Sequence, residues 1–275
     1  ETFNGHDVTI SEIPAVYTDF ADTKLTKTFR FVDPKGAKLT GVSKTVYTMS
    51  VNADRTQLLA SSEAVANTVV ATIKDAANND GEDLIQLEDN SVAKDLLNVA
   101  GRDDLANNLT ARLSVETLNG CGKSLNEVTN NEFDVKFLRP ISIEATDGSL
   151  EDAKDNGSDL ALKDAMQFVD WRGFEFVPDN MNYFEYYGVE TIAINVDDIM
   201  LGGKKLKDVY PAARVDYSET TTDKIASGDF GTITWHNNST ALSADITIEL
   251  PVEVTYKWGT FKVPVPVVVK KTIGQ

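Results

Sequence analysis

The sequence predicts an all-β chain of tandem β-sandwich domains with minor helix. Three observations predict it. From Ile246 to Trp258 every even position is apolar or aromatic, and after Gly259-Thr260 a second run places Phe261, Val263, Val265, Val267 and Val269 on one face. A period of two over that length means a strand with one buried face, and two such runs joined through a glycine form a hairpin. A weaker copy lies at 111–137, where Ala111, Leu113 and Val115 alternate with Arg112, Ser114 and Glu116, and Phe133, Val135 and Phe137 alternate with Asp134 and Lys136. Upstream of each hairpin stands an alternating strand closing on Asn-x-Asp, at 45–54 and at 188–197, a turn signal.

Two copies in the same order read as two homologous units, and 275 residues is a natural length for two domains. The boundary is placed after Arg139-Pro140, giving an N-terminal sandwich at 1–140 and a C-terminal sandwich at 141–275 that opens on the strand Ile141-Ser142-Ile143-Glu144. The loop residues Thr146-Asp147-Gly148-Ser149 and Asp155-Asn156-Gly157-Ser158 follow it. An Asn pair and a Thr precede each hairpin: Asn107-Asn108-Leu109-Thr110 and Asn237-Asn238-Ser239-Thr240. Short helices are expected at 91–99, closed by Gly101 as a cap, and at 160–168. Residues 61–76 fit both periods: Val65, Val69 and Ile73 have helical spacing, while 68–74 reads equally as a strand. Pro251, Pro264 and Pro266 suit strand edges, where a missing N–H deletes no ladder bond.

Composition excludes several classes. A net charge of −17 argues against nucleic acid and anionic membrane as partners, because phosphate recognition needs clustered Lys and Arg. No run approaches the roughly 18 apolar residues of a membrane-spanning helix. The single cysteine, Cys121, excludes an intramolecular disulfide and a Cys-rich metal site. Lying between two glycines, it reads as a small residue in a tight turn.

Candidate sites are few. His6 and His236 are the only histidines; His6 is placed in the N-terminal stretch and His236 on a loop beside Asn237-Asn238, with no nucleophile motif near either. Among 43 acids, close carboxylate pairs arise by chance and do not identify a glycosidase. Asn78-Asn79-Asp80-Gly81-Glu82-Asp83 resembles the centre of an EF-hand loop, but Ala76 and Leu87 stand where the first and twelfth ligands belong. No bound cofactor is expected. Calcium is the ion to consider, with Asp80, Asp83, Asp155 and Asp159 as candidate ligands, against the simpler reading of solvated acidic turns. Trp171, Phe174, Phe176, Tyr183, Phe184, Tyr186 and Tyr187 form an aromatic window. Exposed, Trp171, Tyr183, Tyr186 and Tyr187 would stack on sugar rings or a protein partner; the preferred alternative is that Trp171 and the phenylalanines build the second core.

Asp170-Trp171-Arg172-Gly173, following an acidic loop, resembles an element of modular surface proteins of gut bacteria. Phe133-Asp134-Val135-Lys136-Phe137 and Val254-Thr255-Tyr256-Lys257-Trp258-Gly259 are similar to the last hairpins of their immunoglobulin-like repeats. The resemblance implies tandem immunoglobulin-like β-sandwiches in an exported, extracellular, surface-attached and non-enzymatic protein of adhesion or assembly. Its partners would be a host or microbial surface protein or glycan. It transfers no catalytic residue. A carbohydrate-binding module, a hydrolase or its accessory domain, and a phage virion protein are the competing readings.

Overall fold

The computed structural model divides the chain at Arg139/Pro140, into Glu1–Arg139 and Pro140–Gln275. It describes residues 2–3, 6–7, 11–14, 44–49, 57–60, 67–74, 84–99, 110–118, 132–152, 158–176 and 183–272. Cys121, the turn-rich insert around it, Asn107-Asn108 and Gly101 lie outside these residues.

The first unit runs β1 (Thr2–Phe3), β2 (His6–Asp7), β3 (Ser11–Pro14), β4 (Lys44–Met49), β5 (Gln57–Leu59), β6 (Val69–Lys74), β7 (Leu84–Leu87), helix α1 (Ser91–Val99), β8 (Thr110–Leu118) and β9 (Glu132–Leu138). β8 and β9 pair antiparallel, with Ala111 opposite Val135 and Leu113 opposite Phe133, as the alternation at 111–137 predicts. β4 adds antiparallel to β8, and β3 lies parallel to β9 on its other side. A second sheet, β5-β6-β7, resolves the ambiguity at 61–76 in favour of a strand over Val69–Lys74. Two neighbours bond β6, one on each side, and that ladder outweighs the helical spacing of Val65, Val69 and Ile73. α1 forms where the sequence expects it. Asn90 is its cap: Asn90 Oδ1 accepts from the Ala93 amide at 2.9 Å, and Nδ2 donates to Val69 O at 2.9 Å. Ala93 and Leu97, four apart, are its buried apolar positions, and Asn98 is buried beside them.

The second unit runs β10 (Ile141–Ala145), β11 (Ser149–Glu151), β12 (Ser158–Ala161), β13 (Met166–Asp170), α2 (Tyr183–Tyr186), β14 (Thr191–Ile194), β15 (Met200–Leu201), β16 (Lys204–Lys205), α3 (Leu206–Val209), β17 (Arg214–Ser218), α4 (Thr222–Ile225), β18 (Thr232–His236), β19 (Ile246–Tyr256) and β20 (Gly259–Lys270). One sheet is β11-β20-β19-β15-β16, with β14 also on β19; β10-β13 and β12-β18-β17 are two further sheets. The helix expected at 160–168 is instead the end of β12, one 3-10 turn at Leu162–Asp164 and the start of β13. β12 is claimed by β18 and β13 by β10, so tertiary pairing overrides the local pattern.

β19 and β20 pair from Ile246↔Val269 to Tyr256↔Gly259. Their buried faces are those the period predicts: Ile248, Leu250, Val252, Val254 and Tyr256 on one strand, Phe261, Val265, Val267 and Val269 on the other. Lys257 and Trp258 make the reversal, and Gly259 takes φ +103°, a conformation that glycine adopts at little cost. Trp258 is 1% exposed, so the turn itself plugs into the core.

The two units share a sheet plan. In the first the order is β3-β9-β8-β4; in the second β11-β20-β19 continues to β14. Each is a hairpin flanked by a parallel strand on its last member and an antiparallel strand on its first. The prolines fit this plan. Pro251 faces Pro264, and Glu249 faces Pro266. Neighbouring bonds fix the register: the Val268 amide donates outward to Gly148 O, and Thr255 O accepts from the Glu190 amide on the other side. Residues of that parity therefore turn their amide nitrogens away from the β19–β20 ladder, and all three prolines leave it intact. On β19, Pro251 falls in the gap between β14, which ends opposite Val252, and β15, which begins opposite Glu249. β19 is thus an inner strand with a local edge, whereas among the described residues no strand pairs with the outer side of β20 until β11 meets it at Val268.

Candidate functional site

The sequence folds the stretch after β13 into a tight turn that Asp170 holds. Asp170 Oδ1 accepts from the Arg172 and Phe174 amides at 2.8 and 3.0 Å, and Oδ2 accepts from Arg172 Nε at 2.9 Å. Arg172 Nη2 lies 2.7 Å from the same oxygen, and this ion pair raises the guanidinium pKa further above its ordinary value. The Asp170 amide donates to Phe174 O, closing the loop. Asp170 is buried, but Arg172 projects outward with its guanidinium carbon 5.8 Å from the Trp171 ring centroid and 5.1 Å from that of Phe174. The result is an exposed cation between two aromatic rings. Phe174 is 64% exposed, and Trp171 is half-buried.

The aromatic window divides between this surface and the core. Phe168, Phe176, Phe184 and Phe230 pack ring to ring at 5.2 to 5.9 Å and are buried. Tyr187 is buried too, stacked on Phe176 at 5.6 Å and edge-on to Tyr186 at 4.9 Å. Burial, then the nearby Asp170 charge, pushes its hydroxyl pKa well above the ordinary phenol range. Tyr183 is half-buried and tilted on Phe176 at 5.3 Å, and Tyr186 is 44% exposed. Phe174 and Tyr186 are the window's exposed members and Trp171 and Tyr183 its half-buried ones, and Arg172 adds an exposed cation beside Trp171 and Phe174. Arg172 is the one that aromatic spacing does not single out; its signal is the Asp-x-Arg-Gly turn.

Of the acidic candidates, Asp80, Asp83 and Asp155 lie outside the described residues. Asp159 is exposed on β12 and accepts from Thr234 Oγ1 on β18 at 2.6 Å. Asp197 and Asp198 sit in a 3-10 turn capped by Asn195 and pair with Lys207 at 3.2 Å and Lys205 at 2.8 Å. Among the described residues no group of three or more His, Cys, Asp or Glu is placed to hold a metal ion. His236 ends β18 instead of lying on a loop; its Nε2 is 3.0 Å from Asp216 Oδ2, which also takes Arg214 Nη2 at 2.9 Å. His6 is on β2.

The acid that spacing did not reveal as important is Asp152, 1% exposed. Its carboxylate accepts from Trp235 Nε1 and Asn237 Nδ2 at 3.0 Å each and from the Leu242 amide at 2.6 Å. Every oxygen is occupied, so its role is to join strands. Two tyrosine hydroxyls act likewise. Tyr217 shares its proton between Ile192 O at 2.9 Å and Phe230 O at 3.0 Å, and Tyr210 donates to Thr240 O at 2.7 Å.

No family model matches the chain, and no curated protein sequence matches it. It is similar to several solved structures. These include the D00-D0 domain of intimin (10% identity, TM-score 0.23, 84% of this chain and 86% of that one). The fibronectin(III)-like modules of Clostridium thermocellum CbhA match at 9% identity and TM-score 0.21, over 96% and 90% of the two chains. FdeC, an Escherichia coli adhesin, matches at 12% identity and TM-score 0.23, over 96% and 62%. Likenesses at these TM-scores carry nothing toward ligand or activity; the all-β sandwich class rests on the strand pairing itself. No helix among the described residues is long and apolar enough to cross a membrane.

Proposed function

We propose that the chain is a non-enzymatic, exported cell-surface protein whose tandem β-sandwiches serve as a structural or adhesive module. The observation that carries this reading is the repeated sheet plan: one hairpin with one parallel and one antiparallel neighbour, built twice in one chain. Repetition of a module extends a chain and multiplies surface; a single catalytic centre needs neither. The polar groups of the second unit support it, since Asp152, Asp159, Asp170 and Asp216 are engaged in bonds that join strands or close turns. Staining of intact source cells with antibody against the chain tests the placement. Signal that appears only after the cells are permeabilised sinks it.

A second reading, a carbohydrate-binding module, is favoured by the exposed corner of Trp171, Arg172 and Phe174. Flat rings at a surface stack on the apolar faces of sugars, and a guanidinium between them adds a hydrogen-bond donor. A glycan array followed by titration calorimetry with Phe174→Ala decides it. Binding that survives the substitution unchanged places the ligand elsewhere.

A further inference from the structure

We infer that each unit is built to resist tension applied between the points where the chain enters and leaves it. In both, the first strand of the main sheet runs parallel to the last: β3 beside β9, from Ser11↔Val135 to Pro14↔Leu138, and β11 beside β20, from Ser149↔Val268 to Glu151↔Lys270. When a parallel pair is pulled at the start of one strand and the end of the other, the strands slide past each other, and every bond between them is loaded at once. An antiparallel hairpin pulled at its open end loses its bonds one at a time. The same parallel arrangement, made twice, puts both units in the first regime.

The contact in the second unit is short and reinforced. The Val268 amide donates to Gly148 O at 3.3 Å and the Asp152 amide to Lys270 O at 2.9 Å, while Thr272 Oγ1 donates to Asp152 O. The Asp152 carboxylate is held in turn by Trp235, Asn237 and Leu242. Sliding β11 along β20 therefore breaks the strand bonds and also draws a buried carboxylate away from three donors, an expensive step in a dry interior. Ahead of β11 the chain passes through β10, which is paired with β13 from Ile141↔Asp170 to Ala145↔Met166, so a pull entering at Pro140 meets that ladder first. This inference concerns the fold alone and holds whether or not the chain sits on a cell surface.

The test is single-molecule force spectroscopy on the full 275-residue chain held by its two ends. Val268→Pro is the informative variant. It extends the alternation of Pro264 and Pro266, deletes the bond to Gly148 and leaves the ladder to β19 intact. The expected result is two high-force unfolding events in the parent chain, one of them shifted to lower force in Val268→Pro. Leu250→Ala, a core cavity away from β11, lowers the denaturant midpoint while its unfolding force stays near that of the parent. Unfolding of the parent without a resolved force peak overturns the inference, as does an unchanged force in Val268→Pro. Should circular dichroism show Val268→Pro to be unfolded, Thr272→Val removes just the hydroxyl bond to Asp152 O and is held to the same two outcomes.

Discussion

The indole N–H of Trp235 donates to Asp152 Oδ1 at 3.0 Å, joining β18 of one sheet to the residue that follows β11 of another. Both are buried, Trp235 at 0% and Asp152 at 1% exposure. Asn237 Nδ2 and the Leu242 amide complete the shell. Asp152→Ala would leave three buried donors unmatched, each worth about 1–3 kcal/mol, so a loss on the order of 4 kcal/mol is expected. Asp152→Asn keeps one acceptor oxygen but turns an amide toward donors, and should lose roughly half as much. Urea denaturation followed by tryptophan fluorescence measures both; a loss below about 1 kcal/mol for Asp152→Ala would mean that water replaces the carboxylate.

Phe168 and Phe174 are six residues apart and have opposite surroundings. Phe168 is 1% exposed and touches Phe176, Phe184 and Phe230; Phe174 is 64% exposed. Phe168→Ala should cost about 3–5 kcal/mol as a cavity. Phe174→Ala should leave stability within about 0.5 kcal/mol. Equal losses in thermal melts would show that the corner is packed core and not a recognition surface.

What the sequence made legible follows from period and punctuation. The one-sided burial of β19 and β20 needed nothing beyond alternation, because a strand buried on one face writes that face into every second residue. The β8–β9 pair was legible from the same alternation, and α1 from a short segment at 91–99 placed just ahead of Gly101. Residues 160–168 were misread as helical because their apolar spacing suits either period, and the decision belongs to β10 and β18, partners far away in sequence. The prolines were half legible. Their tolerance was foreseen, but Pro251 occupies a break between two partner strands and not an outer edge. The aromatic window could be listed but not sorted into Phe176 inside and Phe174 outside, since both follow the turn that Asp170 ties. Asp152 could be listed only with Asp155, Asn156 and Asp159 as an acidic loop, because an acid among many gives no local sign that it is buried.

Gly231 carries a conformation and a contact that no other residue tolerates. Its φ is +92°, and a Cβ there would lie 2.5 Å from Ser218 O and 2.7 Å from the Tyr217 ring. Tyr217 cannot retreat, because its hydroxyl is bound to Ile192 O and Phe230 O. Gly231→Ala should therefore cost roughly 3 kcal/mol. Gly202→Ala, with nothing within 4 Å of the added carbon, should cost about 1 kcal/mol from its backbone conformation alone. The difference between the two melting shifts isolates the clash, and equal shifts would remove it.

The Asp198–Lys205 pair gives a pH signature of known sign. Hydrogen bonding and charge from Lys205 hold the Asp198 carboxyl below its ordinary 3.8, and Asp198 holds Lys205 above 10.5. The depressed acid contributes stability above 3.8 that is lost as pH falls through its folded value; the raised base contributes stability below 10.5 that is lost as pH rises through its folded value. Both groups are exposed, so the contribution is small and screened by salt. Lys205→Gln should move the Asp198 carboxyl titration, followed by NMR, back up toward 3.8. No movement would mean that the pair does not form in solution.

Pro264 and Pro266 are exposed on β20, and their nitrogens face the side that no described strand pairs with before Val268. An incoming strand would find carbonyl acceptors there but no N–H at two alternate positions, so a continuous ladder cannot form. The flanking residues Val263, Val265 and Val267 otherwise make this edge β-prone, long and apolar on one face, the pattern that pairs with a second copy. Replacing both prolines with threonine restores the two donors and keeps the β19 register, because neither nitrogen bonds β19. The expected outcome is a concentration-dependent dimer or larger species in sedimentation velocity, with the monomer's circular dichroism unchanged. Hydrogen exchange locates the contact: the restored amides at 264 and 266, which face away from β19, should gain protection as concentration rises in the double variant. A double variant that remains monomeric at the highest soluble concentration would mean that something other than proline protects this edge.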